Sequence, residues 1–184
     1  MCVIVEDLSL HILDIAENSV QAGARNLVIT VDESLVDDRL VIEIRDDGKG
    51  MTAEIADKVS DPFYTTRTTR RVGMGLTLLK HAAELANGTM VVRSQPDHGT
   101  TVRATFQHSH IDRMPLGSMA DTVTALISRE EMVNVLYRHV RGGRVVEFDS
   151  KHVQDQLGDI LLDSTEALSL VRRYIELEEV SLAQ

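Results

Sequence analysis

Asp14 and Asn18 stand four residues apart in a stretch with helical spacing, so a carboxylate and an amide oxygen share one face and can converge on one ion or one water. A hard cation such as magnesium takes one or two protein oxygens beside phosphates and waters, and Asn18 is suited to supply one. Taken singly, the pair also fits the solvated face of an amphipathic helix. His11 falls on the same arc, where a structural or solvent-facing role is the simpler reading.

A second group, Asp46-Asp47-Gly48-Lys49-Gly50-Met51, lies where a strand pattern ends. Gly48 and Gly50 let the backbone turn sharply and let a flat ligand approach, while a carboxylate accepts a hydrogen bond from an exocyclic amine. A solvated Asp-Gly turn has the same composition. The third group, Arg70-Arg71-Val72-Gly73-Met74-Gly75-Leu76, runs into a helix. Unpaired amides at a helix start, aligned with the positive end of its dipole, make a phosphate site, and Arg67, Arg70 and Arg71 add charge. A solvated arginine loop is the alternative. The fourth group, Gly99-Thr100-Thr101-Val102, reads by itself as a turn entering a strand. Neither a Gly-x4-Gly-Lys-Ser/Thr loop nor a Gly-x-Gly-x-x-Gly after a strand is present, so the two commonest nucleotide folds have no support.

These groups need elements to position them. Leu8, Ile12, Ile15, Ala16 and Ser19 line one side of a helix over 8–22, stopped by Gly23. Strands follow over 26–31 and 39–45, joined by the polar link 32–38, then a short helix opening at Thr52. Residues 60–75 lack periodicity, which in a compact domain marks a functional loop or disorder. A helix over 76–87 precedes strands over 89–94 and 101–107, joined by a turn at 96–99. Pro115 and Gly117 break the pattern between two segments, 1–108 and 109–184. The second shows a helix near 119–127, a hairpin over 133–139 and 144–148 turning on Gly142-Gly143, and two more helices, the last over 164–179.

Composition bounds the class. A chain of 184 residues with 43% hydrophobic residues can bury a sizeable core. Nineteen basic residues against twenty-nine acidic give a net charge of −10, and both segments are acidic, which argues against non-specific nucleic-acid binding. The single cysteine, Cys2, excludes an internal disulfide and a multi-thiolate metal site and fits a reducing compartment, so the cytoplasm is expected. No apolar run approaches the roughly 18 residues of a membrane span.

In order and separation the four groups resemble the N, G1, G2 and G3 boxes of the GHKL superfamily, and Asp61-Pro62-Phe63-Tyr64-Thr65-Thr66 resembles the F box of histidine kinases. The resemblance covers about residues 7–107. It implies an α+β, two-layer α/β sandwich of the Bergerat type, a mostly antiparallel sheet with helices on one face; beyond it, the elements of 109–184 are expected to form a small α/β extension. It makes Asn18 the magnesium ligand, Asp46 the adenine-reading carboxylate and Thr100 a second contact at the adenine end. Gly48, Gly50 and Met51 would shape the base pocket. Gly73, Met74, Gly75 and Leu76 would form the phosphate-binding turn. Phe63, Thr65, Thr66, Arg67, Arg70 and Arg71 would belong to a lid that orders over the triphosphate. The run Glu17-Asn18-Ser19-Val20-Gln21-Ala22-Gly23-Ala24 looks more like MutL than a histidine kinase. MutL places a glutamate four residues before the asparagine as general base; here that residue is Asp14, one methylene shorter, with Glu17 as a substitute if the helix turns it inward.

The resemblance implies a stand-alone, ATP- and magnesium-dependent ATPase or protein kinase acting through lid closure on a protein partner. The alternative is a non-catalytic ATP/ADP-sensing module that controls a partner. Similar proteins occur beside redox-enzyme subunits in anaerobic bacteria, so a redox complex is one partner to consider, and 109–184 is expected to pack on the ATP domain or form a homodimer. His110-Ile111-Asp112-Arg113 superficially resembles a phosphoacceptor sequence, but it follows the ATP domain beside Pro115. His108 and His110 could offer two metal ligands, with no third visible.

Overall fold

Asp7 opens the first helix, α1 (Leu8–Gln21), by accepting the Leu10 amide on Oδ1 at 3.2 Å, as an N-cap does. The computed structural model describes residues 7–59, 74–129, 133–158 and 161–182. α1 buries Leu8, Ile12, Ile15, Ala16 and Val20, as their spacing predicts. His11 is buried as well, at the border between that side and the arc of Asp14 and Asn18, four residues before Ile15 and seven before Asn18.

The alternating apolar stretches form a six-stranded sheet. β1 (Asn26–Ser34) and β2 (Arg39–Asp46) make an antiparallel hairpin. After α2 (Ala53–Lys58) and α3 (Met74–Leu85), β3 (Thr89–Ser94) and β4 (Thr100–Gln107) form a second hairpin, whose β4 pairs with β2. β1 runs three residues beyond its apolar core because Asp32, Glu33 and Ser34 keep register with Val41, Leu40 and Arg39. α3 begins two residues before the expected start.

The segment beyond residue 108 continues the same sheet. α4 (Met119–Ile127) leads into β5 (Asn134–Arg141), which lies parallel to β1, and β6 (Arg144–Asp149) returns antiparallel to β5. The strand order is β3-β4-β2-β1-β5-β6. α5 (Ser150–Leu157) and α6 (Thr165–Leu182) complete the described chain. The pairing of β1 with β5 makes the sheet mixed: periodicity predicts each strand but not which strand lies beside it.

Leu27, Ile29 and Val31 of β1, Leu40, Ile42 and Ile44 of β2, Val102, Ala104 and Phe106 of β4, and Val135 and Tyr137 of β5 share one face and one core with the helices. There α1 packs between α3 and α4, and α4 packs on α6. The opposite face carries polar cross-strand pairs, Arg103 to Glu43 at 2.7 Å and Arg138 to Glu147 at 3.3 Å.

At the end of the sheet remote from Asp46, His139 is 3% exposed and lies between two carboxylates. Its Nε2 is 3.0 Å from Glu33 Oε1, and its Nδ1 is 2.8 Å from Glu179 Oε2. His108 and Arg141 approach the other Glu33 oxygen at 2.8 and 3.7 Å, and Tyr137 donates its hydroxyl to Glu179 at 2.5 Å. The His139 bond is the main cause that lowers the Glu33 pKa to about 2. Burial opposes the charged imidazole of His139, but the bonds from Glu179 and Glu33 outweigh it and raise its pKa to about 9.

Candidate nucleotide site

Asp46, the last residue of β2, is 8% exposed, yet its carboxylate is well provided with donors. Oδ1 accepts the amides of Gly48 at 2.9 Å and Thr100 at 3.2 Å, and Oδ2 accepts the Ser19 hydroxyl at 2.7 Å. The donors come from the turn after β2, the start of β4 and α1, so groups 27 residues before and 54 residues after Asp46 join the nearby Gly48 amide to fix one side chain.

The turn is held from below by Asp47. Its carboxylate accepts the backbone amides of Arg25 and Asn26 at 2.7 and 2.9 Å and the Asn26 side-chain amide at 2.7 Å. Burial acts against its charge, but those bonds win and keep its carboxyl below the usual range. The 95–99 turn closes the other side. The Met51 amide donates to Ser94 Oγ at 2.8 Å, and Ser94 Oγ lies 2.9 Å from Thr100 Oγ1. Gly50 and Gly99 have φ of +62° and +80°, and a Cβ on either would fall 2.0 Å from a carbonyl oxygen, of Gln95 and Asp46 respectively. Only glycine satisfies both conditions.

A second cluster forms where α1 meets the start of α3. Asp14 and Asn18 are half-buried on the side of α1 away from the core. A Cβ on Gly75 would lie 2.3 Å from Asp14 Oδ2, so the absence of a side chain lets α1 and α3 close up there. The carboxylate thus sits beside the first turn of a helix, where backbone amides lack partners within the helix and the dipole is positive. Leu76, half-buried, packs its side chain on the core.

Glu17 does not join this cluster. It forms an ion pair with Arg129, just past the end of α4. The helix places it about 60° around from Asp14, toward α4, because three residues fall short of a full turn.

The structure thus gathers Asp46, Gly48, Gly50, Met51 and Thr100 at one end of α1, and Asp14 and Gly75 further along it. Phe63, Thr65, Thr66, Arg67, Arg70, Arg71 and Gly73 lie outside the described residues, and of Met74 only the backbone, which starts α3, is described. Among the described residues no group of three His, Cys, Asp or Glu is arranged to hold a metal ion. His108 bonds to Glu33, and His110 Nδ1 accepts the Asp112 amide at 3.2 Å.

The sequence pattern assigns no site role of their own to Ser19, Asp47, Ser94 and Arg129. A signal existed for Ser19, a hydroxyl on an otherwise apolar helix face, where a buried polar group requires a partner. For Ser94 and Arg129 the relevant proximity is made only by tertiary packing.

Compared with known proteins, residues 4–110 match the family described as histidine kinase-, DNA gyrase B-, and HSP90-like ATPase. The sensor histidine kinase YxdK of Bacillus subtilis is 38% identical over 74 residues, 38% of this chain and 23% of that protein. The sensor histidine kinase ZraS of Escherichia coli is 32% identical over 94 residues, 51% of this chain and 20% of that protein. The chain therefore spans about a fifth of the length of these curated relatives. The crystal structure of the N-terminal domain of a DNA repair protein superposes with a TM-score of 0.52 at 15% identity, covering 78% of this chain and 52% of that one, a likeness of fold. With its residues 4–110 matched and its α+β sheet-and-helix architecture of the GHKL type, the chain belongs to the histidine kinase-, DNA gyrase B-, and HSP90-like ATPase family, and the matched residues carry an ATP-binding domain.

Proposed function

We propose that the chain is a magnesium-dependent ATPase or protein kinase that regulates a protein partner in the cytoplasm, with 63–73 closing as a lid over the triphosphate. The observation that carries this reading is a pair of prepared sites on α1: Ser19 with the Asp46 carboxylate, and Asp14 against the start of α3. Ser19 and Asp14 are five residues apart, roughly 7.5 Å along the helix axis.

Asp46 would take the amine of adenine, with Gly48, Gly50, Met51 and Thr100 around the base. The first-turn amides of α3, from Met74 to Leu76, would receive phosphate oxygens, with Gly73 leading in. Asn18, on the same open face of α1, would contribute its amide oxygen to magnesium, which when bound neutralises charge on the phosphates. Asp14 would accept the proton of the attacking water or hydroxyl, since Glu17 is engaged by Arg129.

A second reading, a non-catalytic ATP/ADP sensor, is favoured by the short reach of Asp14 compared with glutamate. Incubation with γ-labelled ATP and magnesium, beside pulldowns with a non-hydrolysable ATP analogue and with ADP, separates them. Turnover or label transfer that Asp14→Ala abolishes while binding survives is expected. Binding with turnover at background supports the sensor, and no nucleotide binding at all overturns both.

A further inference from the structure

Ser19 belongs to the apolar side of α1 by position but not by chemistry. It is 6% exposed, and its hydroxyl has one hydrogen to give. Two acceptors lie within reach, the Ile15 carbonyl at 3.3 Å and Asp46 Oδ2 at 2.7 Å. The shorter contact, to a carboxylate, takes the hydrogen.

A carboxylate offers about four acceptor positions. The Gly48 and Thr100 amides fill both on Oδ1 of Asp46, and Ser19 fills one on Oδ2. One position remains, on Oδ2. The backbone donors alone hold only Oδ1, so Ser19 is what stops the group from turning about that fixed oxygen and fixes the direction of the spare position. It also leaves no second place on Oδ2 for a competing water.

We infer that Ser19 is a specificity-determining positioning residue, which makes Asp46 a reader of a single N–H donor on the purine six-position. This rests on the nucleotide reading above. A six-amino purine meets the spare acceptor with a donor. A purine lacking that group leaves a buried carboxylate oxygen unmatched, which is costly.

The test measures binding of ATP and of purine riboside triphosphate, identical but for the six-amino group, to the full chain and to Ser19→Ala, with magnesium. The wild-type chain is expected to prefer ATP by about tenfold or more, the scale of one hydrogen bond to a charged group. In Ser19→Ala that ratio should shrink at least several-fold while affinity for the analogue stays nearly unchanged, a selective change that loosened packing would not produce. Melting without nucleotide checks that the variant is folded. An unchanged ratio, or equal loss for both ligands, overturns the role of Ser19. A wild-type chain that binds neither triphosphate overturns the nucleotide reading and this inference together, whereas one that binds both equally overturns the inference alone.

Discussion

Glu33 of β1 and His139 of β5 meet at 3.0 Å across the seam where the two segments of the chain join the same sheet. Glu179 holds the other imidazole nitrogen from α6, and His108, Arg141 and Tyr137 surround the two carboxylates. A buried imidazolium between two carboxylates gives little net stability over an apolar replacement, but removal of one member strands the others.

The raised His139 pKa sets the alkaline limb of stability. Its contribution is complete below the ordinary histidine value of 6.5 and is lost as pH rises through about 9. Glu33, with its pKa lowered to about 2, contributes fully above 4.5 and loses that contribution as pH falls toward 2. The melting temperature should fall between pH 7 and 10 in the wild-type chain. His139→Gln should flatten that fall and lower stability near neutral pH by about 3 kcal/mol. An equally steep alkaline fall in the variant would refute the assignment.

Gly75→Ala should displace Asp14, since the new methyl group takes the space of its carboxylate. Turnover should fall about a hundredfold, the scale of a general base. The double variant Gly75→Ala/Asp14→Ala should be little worse than Asp14→Ala alone, because both changes remove the same group. Additive losses in γ-phosphate release would separate the two residues.

Asp14→Asn and Glu17→Gln distinguish the two candidate bases. Because Glu17 is paired with Arg129, Glu17→Gln should leave turnover within about threefold, whereas Asp14→Asn should lower it about a hundredfold with nucleotide affinity largely kept. The reverse ranking in steady-state hydrolysis would return the role to Glu17.

Gly99→Ala should be among the most disruptive single-methyl changes. It sets a side chain at φ +80° and presses it on the Asp46 carbonyl, while the neighbouring Thr100 amide bonds the Asp46 carboxylate. A loss of about 3 kcal/mol or more in denaturant unfolding is expected, with weakened ATP binding.

Much of this was legible in the sequence. Spacing showed α1, the hairpins and the helix after Gly75, because periods of 3.6 and 2 follow from backbone geometry alone. Asp46 and Thr100, 54 residues apart, appeared together only through the order of the four boxes, and the 3.2 Å bond between them now gives that order a physical cause. Ser19 reads as core in the sequence because a small residue at a buried position looks apolar in pattern. The parallel union of β1 with β5 left no trace, since pairing partners are selected by the packing of whole layers rather than by local periodicity.

That union bears on how the molecule is made. A ribosome releases β1 more than a hundred residues before β5, and until then Leu27, Ile29 and Val31 belong to a strand with one bare margin. A nascent chain in this condition is prone to pair with another like it, and its slowest productive step is the late arrival of a distant strand. The acidic residues at the far end of β1, Asp32 and Glu33, would discourage such mispairing by repulsion between copies, until the histidine of β5 arrives to neutralise one of them.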